Sequence, residues 1–125
     1  MAAELKSRIE MDKKYLWRLE DIFPTDEAVE QEMAALSALL LDGEAQTKPV
    51  SELSGGMRRR VAIARALLAE SELILMDEPF KGLDEGTRET VITYVKEMTV
   101  GRTVILVTHD EEDAAALSAR VVRME

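Results

Sequence analysis

The sequence predicts an α/β fold, a helical lobe followed by a partial parallel sheet, and three observations predict it. In the first half of the chain apolar residues recur at helical spacing. The second half holds two short, continuous apolar runs, at 73–76 and 103–107. Between them, at 87–98, the pattern returns to a helical period. Continuous apolar runs of this length mark strands buried on both faces, as in parallel sheets. Strand, crossover helix and strand in succession make a β-α-β unit.

Taken in order, residues 1–23 read as an amphipathic helix carrying Leu5, Ile9, Leu16, Leu19 and Phe23 on one face. Pro24 ends it. Thr25 then caps a second helix, with Asp26 and Glu27 placed favourably for its dipole. That helix presents Val29, Met33, Leu36 and Leu40 to one side and stops at Gly43, before a polar connector at 44–50 that contains Pro49. A third helix opens near Gly56 and runs to about Ala69, with Val61, Ala64, Leu67 and Leu68 as its inner face. Its first turn carries Arg58, Arg59 and Arg60, an unfavourable charge for a helix start, so an acidic or phosphorylated partner is expected there. After the β-α-β unit come a helix at 111–118 and a third short strand at 121–124. No flexible linker is visible. The natural division is a helical lobe, 1–70, and an α/β lobe, 71–125.

Composition narrows the function. A net charge of −9 over 125 residues argues against nonspecific nucleic-acid binding, which needs a basic face. The chain has no cysteine, which excludes disulfides and thiol-metal sites. Charged residues crowd the stretch before Tyr15, so no secretory signal is expected. The longest apolar stretch, 34–41, is too short to cross a bilayer, so any membrane association must run through a partner.

Four segments carry candidate chemistry. Asp77 and Glu78 are adjacent carboxylates just past an apolar strand, where open α/β sheets place their ligands. Magnesium takes oxygen ligands and keeps several waters, which suits an acid at a strand end. Leu53-Ser54-Gly55-Gly56-Met57 sets a hydroxyl and two glycines at a helix N-terminus, where backbone N–H groups and the dipole face negative charge. Gly82-Leu83-Asp84 reads as a turn before the crossover helix. His109, the single histidine, follows the second strand.

In this order the segments resemble the C-terminal half of the nucleotide-binding domain of an ATP-binding-cassette (ABC) ATPase, of the P-loop NTPase fold type. The match is strongest over 50–124. The resemblance implies that Asp77 supports Mg²⁺ through water, that Glu78 polarises the attacking water and that His109 contacts the γ-phosphate. Ser54, Gly55 and Gly56 would act in trans on ATP held by an opposite monomer, and Asp84 would belong to the loop that meets that monomer. Where this chain has Met57 the family commonly has glutamine, and Lys81-Gly82 replaces the usual small pair. The Walker A loop, G-x-x-x-x-G-K-[ST], is absent from the sequence.

Two functions follow from the resemblance. One is a truncated ATP-binding subunit of an ABC transporter, hydrolysing ATP for transport in the intact protein but inactive as this chain alone. The other is a non-catalytic interaction module that donates its signature motif to ATP on a partner ATPase. Both imply ATP and Mg²⁺ as cofactors and a second ATPase subunit, homo- or heterodimeric, as partner. The helical lobe would dock on a membrane-spanning subunit, leaving the chain cytoplasmic and peripheral to the membrane.

Overall fold

The structure, a computed structural model, describes residues 26–124. The helix expected at 1–23, its stop at Pro24 and the cap at Thr25 lie outside the described residues. The chain divides into two compact units, Met1–Gln31 and Glu32–Glu125. Of the described residues, the first unit holds only the opening turns of α1, so the fold below is that of the second.

Helix α1, Asp26–Ala38, ends earlier than Gly43 suggests. Leu41 N–H donates to Leu36 O at 2.8 Å and Leu40 N–H to Ser37 O at 2.9 Å, the paired bonds of a Schellman cap. The left-handed position of that cap is Leu40, with φ 59°, rather than a glycine. Its core face is Ala35 and Leu39, with Leu36 packed beside them. Met33 and Leu40, expected on that face, are about half exposed. The connector is more ordered than its composition suggests, holding one helical turn, α2 (Glu44–Thr47), and a 3₁₀ turn at Val50–Glu52.

Helix α3, Gly55–Leu68, starts on Ser54, whose Oγ accepts from Met57 N–H at 3.2 Å. The expected acidic partner for its arginines is replaced by backbone carbonyls. Arg60 Nη1 donates to Leu39 O and Leu40 O at 3.0 Å each, and Arg59 donates to Lys81 O. Three orphan carbonyls at the end of a helix and a loop are a good sink for positive charge. The far end of α3 is closed likewise by Arg102, which donates to Leu67 O, Ala69 O and Ser71 O at 2.7–2.8 Å.

Strand β1, Leu73–Asp77, helix α4, Glu85–Met98, and strand β2, Thr103–Val107, form the expected β-α-β unit. The strands are parallel neighbours, in register from Leu73 opposite Thr103 to Asp77 opposite Val107. One core runs from Leu39 through Ile63, Ala64 and Leu67 of α3 to Ile74 and Met76 of β1, and on to Val91, Ile92 and Val95 of α4. The inner face of α3 is thus centred on Ile63, whereas Val61 and Leu68 are half-buried.

Only one sheet face is covered. Leu73, Leu75, Ile105 and Val107 share the other and are 50, 68, 51 and 48% exposed. The strand expected at 121–124 does not form. After α5, Glu111–Ala116, the chain closes in a second Schellman cap with Ser118 left-handed at φ 53°, and Val121, Val122 and Met124 stand exposed. With no ladder partner, so short a segment gains no strand hydrogen bonds. Among the described residues the sheet is two-stranded, β1-β2.

Candidate functional site

The parallel register brings the carboxyl ends of β1 and β2 side by side, and that alone places residue 78 beside residue 109. Glu78 N–H makes one last ladder bond to Val107 O at 2.8 Å while its backbone turns left-handed, φ 46°. In that region Cβ crowds the following carbonyl oxygen, a strain that glycine escapes. The turn aims the Glu78 carboxylate across to the neighbouring strand end. Its Oε1 lies 2.5 Å from His109 Nδ1 and 3.3 Å from His109 N. Oε2 makes no hydrogen bond among the described residues, which leaves one acceptor oxygen for a water.

The His109 hydrogen bond is the main influence on Glu78, holding its carboxyl below the ordinary value. Partial desolvation opposes this and the charge of Lys81 adds to it. The imidazole itself is 73% exposed, the Glu78 side chain 27%. An ionised carboxylate with a free oxygen, against an imidazole and open to solvent, can accept a proton from water.

The loop after Glu78 returns to the core through Phe80, which is buried. Gly82 has φ 75°, a left-handed position that glycine takes without strain. Asp84 caps α4, its Oδ1 accepting from Thr87 N–H at 3.0 Å, and that bond lowers its pKa. Glu78, Lys81, Gly82, Leu83, His109 and Asp110 border an open groove of about 430 Å³.

The other expected site residues lie apart from this pair. Asp77 ends β1 on the exposed sheet face, and its side chain makes no hydrogen bond or ion pair among the described residues. Ser54, Gly55 and Gly56 do not line the groove, though Gly56 lies against Leu83, where a Cβ would make ordinary 3.5 Å contact. A Cβ on Gly55 would meet nothing within 4 Å. Neither glycine has a positive φ, so this fold requires neither.

Sequence reasoning missed Arg88, Thr108 and Asp113, which form an ion-pair and hydrogen-bond cluster beneath His109. One signal was available: Arg88 stands in the first turn of α4, where a cation opposes the dipole and needs an acidic neighbour.

The backbone strain at Glu78 yields an expected result. Glu78→Gly and Glu78→Gln both remove the carboxylate charge beside His109, but only glycine relaxes the left-handed position. Urea unfolding should show the glycine variant with the higher midpoint. Equal midpoints would show that residue 78 is unstrained.

With this geometry in hand, the ABC transporter family profile matches residues 3–81. The chain belongs to the ABC transporter family. It is 42% identical over 101 residues to "Fe(3+) ions import ATP-binding protein FbpC 1" of Rhizobium meliloti (strain 1021), covering 79% of this chain and 28% of that protein. The dimeric bacterial ABC transporter cassette MJ0796 superposes with a TM-score of 0.66 at 34% identity, covering 73% of this chain and 40% of the cassette. The same cassette in a post-hydrolysis state bound to ADP and Pi gives a TM-score of 0.65 at 34% identity, with the same coverage. The fold is therefore part of the ABC ATPase cassette, and the chain spans well under half of these relatives. Among the described residues no helix is long and apolar enough to cross a membrane.

Proposed function

We propose that this chain supplies the hydrolytic and signature segments of the ATP-binding subunit of an ABC transporter, where ATP hydrolysis drives transport. The observation that carries the reading is the Glu78–His109 contact at the adjoining carboxyl ends of two parallel strands. In this reading Glu78, through its free Oε2, takes a proton from the attacking water, and His109 presents its ring to the terminal phosphate. Residues 1–70 act as the helical lobe that meets a membrane-spanning subunit at the cytoplasmic face. Residues 71–125 belong to the catalytic lobe.

The donor set suits magnesium of a particular kind. Asp77 is a single unengaged carboxylate, and among the described residues no group of three or more acids, histidines or cysteines is arranged to hold a metal. That fits an ion which keeps its waters and takes other ligands from phosphate, rather than one caged by protein. Asp77 would hold it through water, and the ion would supply charge to offset the phosphates.

A specific observation also favours donation in trans. The glycines of Ser54-Gly55-Gly56 answer no steric need of this fold. Their open backbone at the N-terminus of α3 suits close approach by phosphate held on a second ATPase subunit. This reading fits the first and, taken alone, describes a module without turnover.

The test joins the chain in frame to a relative's segment bearing the phosphate loop. The fusion is expected to hydrolyse ATP, and the chain alone is not. A folded, ATP-binding fusion with no hydrolysis would leave only the donating module.

A further inference from the structure

Among the described residues the His109 ring has one partner, Glu78, and the ring is mostly exposed. Packing does not hold it. What fixes it is the backbone on either side, and that backbone is anchored from below. Asp113 is the one buried charged residue among the described residues, at 3% exposure. Its Oδ1 accepts from Arg88 Nε at 2.9 Å and also from Arg88 Nη2. Its Oδ2 accepts from Thr108 Oγ1 at 3.1 Å. The same Thr108 oxygen accepts from Asp110 N–H at 3.0 Å, and Asp110 Oδ1 accepts from Glu112 N–H at 2.9 Å. Both peptide neighbours of His109 are thereby tied to one buried carboxylate.

Resting on the reading of Glu78 and His109 as the hydrolytic pair, we propose that Asp113 and Thr108 are positioning residues: with Arg88, they lock the 108–110 turn so that the His109 ring meets Glu78. The energetics argue for a role beyond packing. A buried ion pair is often no more stabilising than apolar side chains of similar volume. Here the acid is fully engaged by a forked arginine and a hydroxyl, and the hydroxyl is spent on the turn that carries His109. The cluster also reaches the other switch segment. Arg88 stands one turn into α4, its N–H bonded to Asp84 O at 2.8 Å, so the cluster joins the 82–84 turn to the 108–110 turn.

The single histidine makes the test clean, because the imidazole signals of the chain come from His109 alone. Glu78→Gln removes the charge the ring meets and serves as the reference change. Thr108→Val removes the hydroxyl while keeping its shape, and Thr108→Ser restores the hydroxyl. The expected result is that Thr108→Val moves the ring signals away from the wild-type positions, as Glu78→Gln does. Thr108→Ser should return them, and Asp113→Asn should behave as Thr108→Val does. If Asp113→Asn fails to fold, the threonine pair decides alone. Ring signals unchanged in Thr108→Val while Glu78→Gln moves them would overturn the positioning role and leave the hydrolytic pair standing. Signals unmoved by Glu78→Gln would show that the ring does not sit at Glu78, and both ideas would fall.

Discussion

Glu78→Gln, in the chain joined to a phosphate-loop segment, is expected to lower ATP hydrolysis by about 10²–10⁴-fold, the usual worth of a positioned general base. The size follows from the site. Glu78 is held ionised by His109, one of its oxygens is free, and it stands where the strand ends open to a ligand. Glutamine keeps the size and the hydrogen-bonding oxygen but takes no proton. ATP binding should therefore survive, because in the proposed reading Glu78 contributes a base and no grip, and removing a negative charge favours the nucleotide. Single-turnover hydrolysis measured beside ATP affinity separates the two effects. His109→Ala should fall in the same direction. A Glu78→Gln fusion that kept most of its hydrolysis would place the base elsewhere.

Much of this was legible in the residues, and the misses have physical causes. The two strands were readable because LILM and TVILV are apolar without alternation, a pattern that belongs to strands covered on both faces. The structure covers one face, leaving Leu73, Leu75, Ile105 and Val107 exposed, so the sequence carries information about a surface that these residues do not themselves bury. The pairing of Glu78 with His109 follows from parallel neighbours in register, which a β-α-β pattern predicts. The left-handed turn at Glu78 does not follow, since the proline after Glu78 favours an extended backbone there.

The end of α1 was misplaced because its cap uses Leu40 where glycine is usual, and Gly43 looked like the stop. The partners of Arg59 and Arg60 were misjudged for a related reason. Local charge rules see the helix dipole but not the carbonyls that a distant helix end delivers. The Arg88–Asp113 pair spans 25 residues in sequence, a separation that no local rule bridges. The strand expected at 121–124 was read from composition, but a strand is a property of its neighbour as much as of itself.

The central claim is that this chain carries the hydrolytic pair and the signature turn but not the principal grip on ATP. A phosphate loop supplies several backbone N–H bonds and a lysine to the β- and γ-phosphates. Charge-assisted bonds of this kind contribute about 1.5–3 kcal/mol each, and each 1.4 kcal/mol is roughly tenfold in affinity. The residues at the strand ends do not replace them, since Asp77 and Glu78 repel the triphosphate. Calorimetric titration of Mg-ATP into the chain is the most direct test. The account predicts a dissociation constant of about 1 mM or weaker, roughly −4 kcal/mol, against much tighter binding by the phosphate-loop fusion. Micromolar binding by the chain alone would contradict it, and would mean that another segment holds the phosphates.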